Sequence, residues 1–328
     1  MTDSPRLALV LHHGIESGAE LAAYARLAER GRFESLWVTE RYCHEETVAL
    51  LGYLAATTDR VKLGVGVVNP YTRHPVLLAM AAATLDRVSS GRLLLGLGRS
   101  ERDVIQDRLG VPYERPRRRL ADTVSVVRRL LAGERLDEPG ARGVRLALAP
   151  VQASVPIYLA AIGPRALRLA GRIADGVLLN AYAPVGYVRW AVAEVAAAAR
   201  AAGRDPAAVD IACMLVVRLT DDPASLGPAL RRRLARLLDE PHVGELLLEK
   251  GGFDATILPR LRAAMERGSE AEAAGLVTEA MLDAFYVRGP AAVCRARIGD
   301  YRAAGAALPL LLPPLSSCAE VAERLAGA

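Results

Sequence analysis

Lysine, cysteine, aromatic side chains and long apolar runs are all scarce in this 328-residue sequence, and each shortage narrows what the protein can be. Of the 42 basic residues only Lys62 and Lys250 are lysines, so the net charge of +5 rests on guanidinium groups. Arginine suits bidentate anion recognition; the plainer reading is a GC-rich genome that writes Arg and Ala for Lys and Ser. The four cysteines, Cys43, Cys213, Cys294 and Cys318, form no Cys-x-x-Cys pair and have no close histidine spacing, so neither a disulfide framework nor a metal site is expected. Aromatic residues make up 5% of the chain, and Arg115, Arg117, Arg118 and Arg119 carry no interleaved rings, which excludes a stacking surface for nucleic acid. The longest apolar stretches are short and broken, as at 308–315, far below the ~20 residues that span a bilayer. No membrane helix is expected. The opening Met-Thr-Asp-Ser-Pro-Arg lacks the basic and apolar regions of a secretory signal, which gives the expectation of a cytoplasmic address.

What the sequence does have is apolar material: 52% of residues, against 24% charged, which supports a large buried core and excludes a disordered chain. Short runs apolar on both faces alternate with helical patterns, the signature of parallel strands covered by helices. Strands are expected at 7–11, 35–39, 62–67, 92–97, 157–161, 176–179, 211–218 and 308–312. Helices are expected at 19–32, 45–58, 76–88, 117–132, 165–173, 185–202, 291–304 and 319–325, with Ser317 and Glu320 forming a capping box before the last. Eight strand–helix units fit a closed (β/α)8 TIM barrel better than two open sheets. The whole chain, 1–328, reads as one barrel domain with insertions at about 133–155 and 221–288. The first, punctuated by Gly and Pro and ending in the alternating residues 144–148, reads as a small hairpin; the second is charged, Ala-rich and helical. Both are placed at barrel ends, where insertions shape the substrate mouth.

In a barrel the chemistry belongs to the C-terminal ends of the strands. There the sequence places His12 and His13, then Thr39-Glu40-Arg41-Tyr42, then Gly66 and Val67 through Asn69 to Pro75. Gly98 to Glu101, the turn Ala160-Ala161-Ile162-Gly163-Pro164, and Asn180 follow. Glu40 and Glu101 are carboxylates that can donate a proton if burial raises their pKa, or salt-bridge partners of the arginines. His12 and His13 can relay a proton as neutral imidazoles or simply pack the loop. His74, before Pro75, reads as a helix-start residue.

Four blocks resemble the bacterial luciferase-like superfamily, and within it the deazaflavin-dependent branch that includes methylene-tetrahydromethanopterin reductase. They are Trp37 to Tyr42; Asn69 to Pro75; Ser90-Gly91-Arg92 leading into Gly96-Leu97-Gly98; and Pro156 to Pro164 continuing to Val177. The resemblance covers 6–180 well and places no motif in 221–288. It implies coenzyme F420, or alternatively FMN, in the barrel mouth, with a non-prolyl cis peptide on the third strand at Gly66–Val67. It further implies cofactor contacts from Glu40, Gly66, Val67, Asn69, Gly98, Ala160, Ala161, Ile162, Gly163, Pro164 and Asn180, and a homodimer packed through barrel helices. The free N–H groups where the 160–164 turn opens a helix suit the cofactor phosphate; the plainer reading is a simple helix start.

Two departures narrow the substrate. Methanopterin reductases carry a glutamate on strand one, whereas Leu9-Val10-Leu11 is apolar, which argues against a pterin. The sugar-phosphate dehydrogenases of the family have a histidine after the strand-two acid, whereas this chain has Arg41. The reading that emerges is an F420-dependent oxidoreductase acting on a small organic substrate, with a C=N or activated C=C bond as the target. The alternatives are a reduced-FMN monooxygenase and a non-catalytic flavin or deazaflavin carrier. A nicotinamide-binding Rossmann fold is disfavoured, because Gly96-Leu97-Gly98 is followed by Glu101 where a third glycine belongs.

Overall fold

Each large ring inside the sheet sits opposite a glycine. Trp37 pairs in register with Gly64, and Tyr158 lies between Gly96 and Gly176 on its two neighbouring strands. A Cβ on Gly64 would lie 2.2 Å from the Trp37 ring, and one on Gly176 would lie 2.3 Å from that of Tyr158. The two rings meet edge to face at 5.3 Å. Alternating large and missing side chains in this way fills the centre of a small closed sheet.

The computed structural model of the chain describes residues 6–326. Its elements are β1 (Ala8–Leu11), α1 (Gly18–Arg30), β2 (Ser35–Val38), α2 (Thr47–Thr57), β3 (Lys62–Val65), α3 (Pro75–Val88), β4 (Leu93–Leu97) and α4 (Pro116–Leu131). There follow β5 (Ile157–Ala161), α5 (Pro164–Ile173), β6 (Gly176–Leu179), α6 (Val185–Ala201) and β7 (Asp210–Leu219). After β7 come α7 (Gly227–Asp239), α8 (Val243–Gly251), α9 (Leu258–Glu266), α10 (Glu270–Gly275) and α11 (Glu279–Phe285). The last elements are β8 (Val287–Gly289), α12 (Ala291–Ala303), β9 (Leu308–Leu312) and α13 (Cys318–Leu325). Strands β1 to β7 and β9 pair in parallel and close on themselves through β6–β7, β7–β9 and β9–β1. The result is an eight-stranded (β/α)8 barrel, and its eight strands are those the apolar runs predict.

The N-terminal rim is tied by charge. Arg6 bonds Glu34 at 2.5 Å and Asp210 at 2.8 Å, and the Tyr158 hydroxyl donates to Asp210 at 2.7 Å. This end holds the barrel shut and leaves the opposite rim to chemistry.

Three expectations change. The insertion at 133–155 joins α4 to β5, so it leaves and returns at the rim opposite the strand C-termini and does not follow a strand. Nor is it a two-stranded hairpin: it holds one antiparallel bridge, Leu136 with Val144, and anchors through Val151 and Gln152 N–H groups on Asp86. The alternating residues 144–148 have no partner strand to bury them, and Leu148 is exposed. The capping box also does not form: the chain enters α13 through a 3₁₀ turn, and the Ser317 hydroxyl donates to the Pro314 carbonyl at 3.4 Å. The 221–288 segment is helical as expected, with one strand besides. β7 outruns the barrel, and its residues 217–219 pair with β8. Among the described residues no helix is long and apolar enough to cross a membrane.

Candidate active site

Glu40 follows β2 at the C-terminal rim, and its side chain is only 9% exposed. Its Oε1 accepts from Arg73 Nη1 at 2.5 Å, while the other nitrogen of Arg73 bonds Glu46. Oε2 is buried with no hydrogen-bond partner among the described residues. A carboxylate oxygen in that state is a strong acceptor waiting for a donor. Beyond β3 the Gly66–Val67 peptide is cis, as the resemblance implies. Just after β4, a Cβ on Gly98 would lie 2.5 Å from Val67 Cγ2 and 3.4 Å from the methyl of Ala160 on β5, so Val67 packs over the buried Gly98. Gly66, Val67 and Ala160 stay partly exposed and form a shelf at the ends of β3 and β5, on the rim that also carries Glu40.

Asn69 has a different part from the one expected. Buried at 2% exposure, it accepts from the Tyr71 and Thr72 N–H groups at 2.8 and 3.1 Å, and donates to the Tyr42 hydroxyl at 2.5 Å and Thr72 Oγ1 at 2.9 Å. All four bonds of its amide are used within the protein, so it orders the loop and its side chain has none left for a cofactor. Tyr42 passes the tie to β4 through the Ser100 hydroxyl at 3.1 Å.

The 160–164 turn opens α5. Gly163 caps the helix without a side-chain bond, Pro164 begins it, and a Cβ on Gly163 would meet nothing within 4 Å. Pro164 has no N–H and the Ala166 and Leu167 N–H groups both bond the Gly163 carbonyl at 3.0 Å, so among the described residues the Arg165 N–H is the donor left unbonded in this first turn, with the positive end of the helix dipole behind it. The Tyr187 hydroxyl donates to the Ile162 carbonyl at 2.7 Å and fixes the turn.

Just after β1, His12 Nδ1 lies 3.0 Å from Thr39 Oγ1, the His12 and His13 rings are 3.7 Å apart, and His13 Nε2 is 3.4 Å from Arg41. Burial first, then the positive charges of His13, Arg41 and Arg233, push His12 down to about 4. Burial and Arg41 also lower His13, whose Nδ1 is buried without a partner among the described residues. Both imidazoles are neutral near pH 7.

A family model described as luciferase-like monooxygenase matches residues 3–308. The chain belongs to this luciferase-like family. It is 34% identical over 313 residues to the 5,10-methylenetetrahydromethanopterin reductase of Methanolobus tindarius, covering 94% of each chain. With the same-named enzyme of Archaeoglobus fulgidus it shares 31% over 296 residues, 87% of each. The solved coenzyme F420 dependent tetrahydromethanopterin reductase of Methanopyrus kandleri superposes with a TM-score of 0.80 at 26% identity, covering 98% of this chain and 99% of that one.

Within this luciferase-like barrel the remaining expected residues take several places. Glu101 is exposed, its carboxylate has no hydrogen bond or ion pair among the described residues, and it precedes a π-helical turn, Asp103–Arg108. It faces Glu240 at the end of α7, whose pKa is raised by burial and by the charges of Glu101 and Asp103. Asn180 is exposed after β6 and accepts from the Ala181 N–H at 3.0 Å. His74 caps α3, its Nδ1 accepting from the Val76 N–H at 3.2 Å. Sequence reasoning missed Arg73 as the holder of Glu40, and Tyr182, Arg218, Arg233 and Tyr286 on the β6–β7 side. Only Arg218 left a signal, as a lone charge ending an apolar strand.

Proposed function

We propose that this luciferase-like protein is an oxidoreductase that binds coenzyme F420 in the barrel mouth and transfers a hydride between it and a small organic substrate. The observation that carries the reading is the half-used carboxylate of Glu40, on the same strand-end rim as the shelf of Gly66, Val67 and Ala160. This is an orphaned buried acceptor on a rim whose small residues stay partly exposed. The reductases to which the chain is similar support the choice of deazaflavin over FMN. Glu40 Oε2 would take a hydrogen bond from the cofactor, the shelf would support its ring, and the Ile162–Pro164 turn would hold its phosphate. When bound, the deazaflavin supplies or accepts the hydride. Arg73 keeps Glu40 oriented, and Asn69 keeps the loop that carries Arg73 in place. His12 and His13 enter as neutral groups able to give or take a proton through an orphaned ring nitrogen. The apolar β1, buried throughout, offers no carboxylate, so the bond reduced or oxidised is proposed to be a C=N or activated C=C bond outside the pterins.

The same reading includes one barrel domain with 221–288 over the mouth, a cytoplasmic address, and a homodimer. The face between α2 and α3 suits a second copy: Leu77, Met80 and Val88 are exposed around Gly52, Ala56 and Ala81, and no charged side chain lines this groove of about 640 Å³. The test is titration of the purified protein with F420 and with FMN, followed by fluorescence. Micromolar or tighter F420 binding with FMN ignored supports the proposal. Preference for FMN refutes it and points to oxygen-dependent hydroxylation.

A further inference from the structure

The shelf and the α5 turn occupy the rim from β2 to β5; β6, β7, β9 and β1 bound the other half of the mouth. Resting on the oxidoreductase reading, the inference here concerns what that half recognises. Tyr182 follows β6, Arg218 stands near the end of β7, and Arg233 reaches down from α7. Arg233 Nε donates to the Tyr182 hydroxyl at 3.3 Å. The Tyr182 and Tyr286 rings meet edge to face at 5.3 Å, and the Tyr286 hydroxyl is held by the Leu230 carbonyl at 3.1 Å. Because the Tyr182 oxygen accepts from Arg233, its own proton is free to donate.

Arg218 is half-buried, and among the described residues the one hydrogen bond of its guanidinium is to the Val217 carbonyl at 2.7 Å. No carboxylate among those residues pairs with it. Arg288, its register partner on β8, is the contrast: that buried guanidinium bonds Asp283 at 2.7 Å and also Glu279. The same two-stranded ladder neutralises one arginine twice and leaves the other bare. An uncompensated guanidinium out of bulk water costs stability. Proteins retain such costs where a ligand supplies what is missing.

We propose that Arg218 and Arg233, with the Tyr182 hydroxyl, form an anion subsite that takes a carboxylate of the substrate, so that the substrates are carboxylate-bearing imines or alkenes and their reduced forms. The site lies across β6 from the turn suited to the cofactor phosphate, on the side of the mouth from which the charge of Arg233 acts on His12. A fork of N–H donors and a phenol matches the planar carboxylate.

The experiment is calorimetric titration of the full-length protein with sodium benzoate and with benzamide, for wild type, Arg218→Gln and Arg233→Gln. Benzoate is expected to bind the wild type and benzamide not, and each substitution is expected to weaken benzoate about tenfold or more. A second readout separates this role from a structural one. Arg218→Gln removes a bare charge, so its Tm without ligand equals or exceeds that of the wild type, and benzoate raises only the wild-type Tm. Equal benzoate affinity in all three proteins, no benzoate binding to the wild type, or a lowered Tm in Arg218→Gln overturns the proposal. So does a tenfold loss of F420 affinity in Arg218→Gln, which assigns the anion to the cofactor tail. Should the wild type bind benzoate as described but not F420, the oxidoreductase reading fails and the anion subsite stands.

Discussion

Removing Arg73 should harm this protein more than removing the carboxylate it holds. Arg73→Met leaves Glu40, 9% exposed, with neither oxygen bonded, and breaking a buried pair from one side costs about 3 kcal/mol. The lost contact to Glu46 adds little, because that carboxylate is 53% exposed. Glu40→Gln is milder, about 1 kcal/mol, because Arg73 keeps Glu46 and the amide oxygen still accepts from it. The double variant should be more stable than Arg73→Met alone by about 2 kcal/mol, since no buried charge is left unpaired. For a chain of 328 residues, 1 kcal/mol corresponds to roughly 1.5 °C in Tm, so Arg73→Met falls by roughly 4 °C and the double variant regains more than half of that. Thermal and urea unfolding of the four proteins at pH 7.5 measures the cycle. The reasoning is refuted if Arg73→Met is no less stable than Glu40→Gln, or if the second substitution brings further loss.

Three further outcomes follow from the structure. His12, held near 4 in the fold against 6.5 unfolded, binds a proton on unfolding between those pH values, so stability falls as pH drops through that window. Allowing for its partial exposure the loss is about 2 kcal/mol, and pH-dependent urea unfolding of His12→Gln should show it missing. Gly96→Ala would place a Cβ 1.9 Å from the Val65 carbonyl oxygen, a backbone atom that cannot step aside, and should cost more than about 3 kcal/mol or abolish folding on a soluble-expression and melting test. For the proposed homodimer, the wild type should sediment as a dimer and Leu77→Glu with Met80→Glu as a monomer with unchanged circular dichroism; a wild-type monomer refutes the dimer, and a dimer that survives the substitutions places the interface elsewhere.

The barrel was legible because its strands announce themselves twice, as apolar runs on both faces and as runs spaced by helices. β8 was not, since Val-Arg-Gly following a helix has no periodicity to read and exists only because β7 outruns the barrel beside it. The alternating residues 144–148 misled for the opposite reason: a pattern makes a strand only where a second strand accepts its hydrogen bonds. Glu40 could be found as an acid at a strand end, but the distant Arg73 that orients it could not. The sequence offers Asn69 as a cofactor contact, but composition does not reveal that loop N–H groups and hydroxyls already fill its amide. Arg233 is one of three consecutive arginines, and only the placement of α7 decides which of them reaches Tyr182.

Leu219 and Gly289 lie side by side on adjoining strands, so the long excursion between them leaves the barrel and rejoins it at one spot. Such an excursion is a cassette. The barrel closes through β9 without using any strand of the cassette, while the cassette rests on the barrel's helices: Lys250 of α8 lies over the Trp190 ring of α6, and Arg297 and Tyr301 of α12 reach the Ala284 carbonyl. The parts of the site argued to hold a cofactor belong to the barrel, while Arg233, Tyr286 and the paired Arg288 belong to the cassette or its hem. Exchange of that one segment between related barrels would therefore alter what is recognised and leave intact the machinery that acts on it.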